Sequence, residues 1–153
     1  MKKLTLFLSF LVALFTTSGC ELWETLTSDK TLLYGQWNIE KIYYEDSESY
    51  YGTTTYTFVF DKDGSTKYQT WESTNSNLED VIVASVLKGK YVYSENKHIL
   101  QVDLQMKDAQ DNTVVHTTLF QVKELTSQRL LIEVNSDESG IFSKGSTIDM
   151  EKM

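Results

Sequence analysis

Leu100-Gln101-Val102-Asp103-Leu104-Gln105-Met106-Lys107 alternates apolar and polar side chains without interruption. Side chains on an extended strand point to opposite faces in turn, so such a run buries one face and wets the other. Tyr56, Phe58 and Phe60 repeat the pattern against Thr55, Thr57 and Val59. Comparable runs cover residues 36–44, 65–71, 88–93, 114–124, 129–134 and 146–150. Residues 80–87 read either as a further strand or as a short helix. Short polar turns separate the runs, at 61–64, 94–96, 108–112, 126–128 and 135–140. Connections this short join antiparallel neighbours, because a parallel crossover needs a dozen residues or more. The expectation is an all-β fold, an antiparallel up-and-down meander of about eight strands closed into a barrel, since closure removes the exposed edges. Proline, one of the residues that blunt an open edge, is absent, which fits closure.

The chain has 153 residues, 41% of them hydrophobic and 24% charged, as expected of one ordinary folded domain. Its 14 Lys and Arg against 22 Asp and Glu give a net charge of -8, and Arg129 is the single arginine. Binding to phosphate backbones needs clustered basic side chains that displace counterions, so a nucleic-acid partner is not expected.

The N-terminus carries an address. Lys2 and Lys3 precede an apolar stretch, residues 4–15, and small residues Thr16-Thr17-Ser18-Gly19 precede Cys20. This is the anatomy of a secretory signal, with an apolar stretch of about twelve residues where a membrane-spanning helix needs about twenty. The small residues before a lone cysteine resemble the lipobox of bacterial lipoproteins. Its usual Leu three residues before the cysteine is Thr17 here, as in the looser boxes of Bacteroidota-like lipoproteins. The resemblance implies a signal peptide over 1–19 and acylation of Cys20, whose acyl chains would hold the protein on a membrane. With no second cysteine, the folded domain has neither a disulfide nor a cysteine-based metal site or nucleophile. Aspartate does not follow Cys20 and no dense acidic tract does either, so the expected address is the cell envelope at the outer membrane. Removal of Lys2 and Lys3 leaves 12 basic and 22 acidic side chains, a charge of 12 minus 22, or -10, which repels anionic headgroups. Leu22, Leu26 and Leu33 recur at helical spacing, with Ser28 and Asp29 offering a cap, so residues 20–33 read as a lipidated N-terminus and short helical tether. Residues 34–153 form the barrel domain.

Gly35-Gln36-Trp37 opens the meander, and Tyr56 to Ser65 ends in an Asp-Gly turn; Gly89-Lys90-Tyr91, Leu100-Gln101-Val102, residues 122–126 and Leu130-Leu131-Ile132 follow. Together these resemble lipocalins and the small lipocalin-like lipoproteins of Bacteroidota. The resemblance implies that Gly35 admits the chain into the first strand and that Trp37 plugs one end of the barrel. It also implies an arginine laid across that tryptophan, for which Arg129 is the candidate.

Other constellations carry less. Asp61-x-Asp63-Gly64-Ser65 with Glu72 imitates a calcium loop, but Thr66 stands where the invariant glycine belongs, so a hairpin turn is expected. His98 and His116 are two imidazoles where a zinc site needs three or four ligands. No Gly-x-Ser-x-Gly elbow is present. Neither an enzyme nor a cofactor is expected. Aromatic residues stand out instead: Tyr43, Tyr44, Tyr50, Tyr51 and Tyr56 gather around the first connection, which makes residues 45–53 a candidate lid. Tyr44, Tyr56, Phe58, Trp71, Tyr91 and Tyr93 are the candidate ligand-binding residues. The expected function is binding of a small, partly apolar, amphipathic ligand in the barrel or at its mouth. The alternative is a non-enzymatic interaction lipoprotein whose filled barrel contacts another envelope protein or a surface polymer. An eight-stranded barrel is just wide enough for either.

Overall fold

The computed structural model describes residues 29–44, 47–49, 54–73 and 81–153. Helix α1 (Asp29–Leu33) leads into β1 (Gly35–Tyr44), followed by β2 (Ser47–Ser49), β3 (Thr54–Phe60) and β4 (Ser65–Ser73). Then come β5 (Val81–Ser94), β6 (Ile99–Lys107), β7 (Thr113–Leu125), β8 (Arg129–Asp137) and β9 (Thr147–Lys152). Every pairing is antiparallel, and β9 returns to pair with β1 from Trp37 against Lys152 to Tyr43 against Thr147. The product is an up-and-down barrel of eight strands, with β2 appended to the end of β1. This is the architecture of a lipocalin-like fold. Residues 80–87, ambiguous in sequence, belong from Val81 onward to the long strand β5.

Alternation carries through to burial. Leu100, Val102 and Leu104 on β6, Leu130, Ile132 and Val134 on β8, and Ile148 and Met150 on β9 are all at most 1% exposed. Such side chains each stabilise the fold by about 1.5–3 kcal/mol through removal of apolar surface from water.

The turns leave the barrel with two unlike ends. At one end lie α1 and the connections β3–β4, β5–β6 and β7–β8; at the other lie β1–β3, β4–β5, β6–β7 and β8–β9. Trp37 closes the first end. It is fully buried, its Nε1–H donates to the Leu33 carbonyl at 2.7 Å, and Leu33 is itself fully buried beneath α1. The cation over the indole is Lys152, whose Nζ lies 5.0 Å from the ring centroid and donates to the Leu32 carbonyl at 2.9 Å. Burial draws that ammonium below its ordinary pKa. Arg129 does not take this place. It stands on the outer face, where its guanidinium grips Asp149 through two hydrogen bonds of 2.9 and 2.8 Å and reaches Glu124 at 3.2 Å. The last strand ends beside the first, so a long side chain at position 152 arrives over Trp37 and one at the start of β8 does not. Gly35 is held at φ 122°, where a Cβ would also meet Lys152 Cε at 3.0 Å, so both backbone and neighbour require glycine.

Two seams of the wall are incomplete among the described residues, the first between β1 and β3, which pair only from Gly35 against Phe60 to Asn38 against Thr57. β5 pairs with β6 only from Gly89 against Leu104 to Ser94 against Ile99, so among the described residues Val81 to Lys88 pairs only with β4. The pinch lies at Gly89, where a Cβ would sit 1.9 Å from the Asp103 carbonyl oxygen and 2.9 Å from its carbon. Two backbones pass too closely there for any side chain. Gly89→Ala is therefore expected to push β5 from β6 and cost about 1–3 kcal/mol, read by urea unfolding; an unchanged midpoint would show that the seam yields freely.

Candidate functional site

Side chains from opposite walls meet in the middle of the barrel. Phe58 on β3 lies 6.3 Å, centroid to centroid, from Phe120 on β7, edge to face. Phe60 and Tyr68 pack on Phe58 at 5.5 and 4.9 Å. Strands β3 and β7 are four places apart in the sheet, so this contact spans the lumen. Phe142, from the connection after β8, enters from the mouth and completes the layer at 6.0 Å from Phe58, 5.6 Å from Tyr68 and 5.6 Å from Phe120.

A carboxylate holds Phe142 in place. Asp137 Oδ2 accepts the Phe142 amide at 2.7 Å, and Oδ1 accepts the Ser139 amide at 3.0 Å, the Ser139 hydroxyl and the buried Thr118 hydroxyl at 2.6 Å. Burial pushes the Asp137 pKa up, but these donors outweigh it and hold the group below the usual carboxylate range.

Above this floor the inward-facing positions stay partly open. Tyr56 is half-buried and stacks on Tyr68 at 5.9 Å and 15°. Leu87 and Met106 are half-buried, whereas Tyr44, Val114 and Ile82 are exposed. Each faces inward by register: Met106 opposes Val114, Ile82 opposes Glu72, and Tyr44 follows inward-facing Ile42 by two. The mouth is thus a funnel of mixed lining, in which the same registers turn Thr70, Glu72, Ser85 and His116 inward beside these apolar residues, with an aromatic floor and a split wall between β5 and β6. Ordinary barrel-core residues at these positions would be covered.

The candidate ligand residues separate accordingly. Tyr44 and Tyr56 stand at the mouth. Phe58, Tyr91 and Tyr93 are buried in the wall's interior layer. Tyr91 donates its hydroxyl to the Asp61 carbonyl at 2.8 Å, and burial, helped by nearby Tyr34 and acidic neighbours, pushes its phenol up to about 12. Trp71 is on the outer face, away from the lumen: Thr66 and Tyr68 face in, so alternation turns Lys67, Gln69 and Trp71 out. Of the candidate lid, Ser47–Ser49 forms β2 against the end of β1, and the remainder lies outside the described residues, as does Cys20. Phe142 was not expected from sequence, because it lies past a polar turn and outside any alternating run.

The Asp-Gly motif is a hairpin turn. Asp61 N–H donates to Ser65 O, Gly64 N–H to Asp61 O, and both aspartate carboxylates accept from Ser65. The two histidines lie toward opposite ends. His98 closes the β5–β6 turn with φ 51°, and His116 contacts the Glu138 carbonyl at 3.0 Å near the mouth. No protein-family model and no curated protein sequence matches the chain.

Proposed function

We propose that this chain is a lipid-anchored lipocalin-like lipoprotein that takes a small, partly apolar ligand at the mouth of its barrel. The observation that supports the mouth over the lumen is the aromatic layer. Phe58, Phe120 and Phe142 occupy the space an enclosed ligand would need, while Tyr44, Tyr56, Ile82 and Val114 leave exposed or half-buried apolar surface above it, interspersed with Thr70, Glu72 and Ser85. Apolar clefts with few polar groups are the usual sites of small-molecule binding. Cys20 is the acylated anchor in this reading, the 1–19 signal is removed, and the outer membrane is the address. The chain binds and does not catalyse.

The test is native mass spectrometry of residues 21–153 after incubation with a lipid and metabolite extract. A saturable added mass that vanishes in Val114→Asp, with at least tenfold weaker binding, is the expected result. Binding indifferent to Val114→Asp would sink the mouth assignment. Separately, Cys20→Ala should leave the protein unacylated and release it from the membrane fraction; retention there would end the lipoprotein reading.

A second reading is supported by the same filled layer: an interaction lipoprotein that works through its outer wall, on another envelope protein or a surface polymer. Absence of any adduct, with crosslinks to an envelope partner, would favour it.

A further inference from the structure

Trp71 turns an indole out of the barrel onto a surface where aromatic side chains have no core to join. It is nevertheless half-buried, in a cleft of about 330 Å³ lined by Gln36, Asn38, Thr55, Thr57, Trp71 and Met153. Among the described residues no charged side chain lines this cleft, although the Glu40 carboxylate stands beside it on Asn38. Its lining consists of amides, hydroxyls, a thioether and one indole.

The indole is fixed. Trp71 Nε1–H donates to Thr57 Oγ1 at 3.0 Å, and Thr57, 1% exposed, lies opposite both Asn38 and Gln69 in the sheet. Asn38 supplies a second observation. Its Nδ2 donates to Glu40 Oε1 at 2.7 Å, which fixes the amide orientation, and its Oδ1 is buried with no hydrogen-bond partner. A buried acceptor without a donor costs about 1–3 kcal/mol and calls for one. Met153, at the rim of the same cleft and 76% exposed, is held to Gln36 by Nε2–H donating to Sδ at 3.2 Å. An unbranched methionine swings aside easily.

We propose that this outer-wall cleft binds a neutral sugar ring. A pyranose has an apolar C–H face that stacks on an indole and a rim of hydroxyls that both donate and accept. With no cationic side chain among its described lining residues and the Glu40 carboxylate beside it, the cleft selects against phosphates and carboxylates, which would lose hydration without gaining a counter-charge. One sugar hydroxyl donates to Asn38 Oδ1 once side-chain rotation at the cleft uncovers it, and the side chains of Gln36 and Thr55 meet others. The site is distinct from the mouth, and it stands whether or not the mouth holds a ligand.

The test is an NMR titration of the full chain, in a detergent without a sugar headgroup, with methyl glucoside, N-acetylglucosamine, cellobiose and maltotriose. At least one should give saturable shifts at the Trp71 indole N–H and the Thr55 and Thr57 amides, with a Kd of about 1–10 mM, as befits a shallow site. Trp71→Ala should abolish the amide shifts, and Thr55→Glu, an exposed position whose change leaves the core untouched, should weaken binding at least tenfold. Val114→Asp at the mouth should leave the titration unchanged. The proposal is overturned if none of the four sugars saturates up to about 100 mM. Amide shifts that survive Trp71→Ala, or binding indifferent to Thr55→Glu, would overturn it equally.

Discussion

Trp37→Ala is expected to cost about 3–5 kcal/mol and to lower the melting temperature by roughly 10–15 °C. The indole is fully buried, so truncation leaves a void at the closed end. Two further contacts go with it. The Leu33 carbonyl loses its 2.7 Å donor while remaining buried under α1, and the Lys152 ammonium loses the ring face 5.0 Å away. Trp37→Phe separates these contributions, because it keeps much of the packing and removes the hydrogen bond; its cost should be about 1–3 kcal/mol. Urea unfolding followed by circular dichroism reads both. A loss under about 1 kcal/mol for Trp37→Ala would mean that α1 and Lys152 close this end without the indole.

A strand that alternates cleanly, such as β6, exposes its buried face in the primary structure, because each apolar residue has the same neighbour pattern. Gly35 and Trp37 were legible because a positive φ and a buried indole constrain residue type strongly. Residues 81–87 were not legible. Val-Ile-Val-Ala-Ser-Val-Leu has no alternation, and the register against β4 shifts so that Thr70 opposes Ser85 while Trp71 opposes Val83. Trp71 was misplaced for a related reason: hydrophobicity alone sends an indole inward, and only strand parity sends it out. The cation over Trp37 was assigned to the single arginine, but the barrel's closing register, which a local motif does not contain, delivers Lys152. The floor of the mouth was hidden most completely, since Phe142 depends on hydrogen bonds from a polar loop to Asp137.

That dependence makes Phe142 the most informative single residue. Phe142→Ala removes a ring that touches Phe58, Tyr68 and Phe120, and is expected to cost about 3–5 kcal/mol. Because Phe142 belongs to a connection and to none of the strands, its removal should leave the barrel's ladder intact and open an apolar space beneath the mouth. Such a space, bordered by the rings of Phe58, Tyr68 and Phe120, is expected to take up benzene or xenon. Benzene should therefore raise the melting temperature of Phe142→Ala and leave the parent chain unmoved; no such rise would mean that the neighbouring rings collapse into the gap. Acid offers a gentler route to the same opening. The Asp137 carboxyl is depressed below its ordinary 3.8 when folded, so its stabilisation is present above that value and is lost as pH falls through the lower folded one. The Ser139–Phe142 segment should keep its amide protection down to about pH 4 and lose it below, whereas Asp137→Asn, which keeps one acceptor oxygen and turns its NH2 toward either the Ser139 or the Phe142 N–H, should weaken it already at pH 7. These outcomes bear on function directly. A ligand resting at the mouth uses Phe142 as its floor, so Phe142→Ala should change its affinity several-fold, while a partner docked on the outer wall by Trp71 is indifferent to a ring on the other side of the sheet.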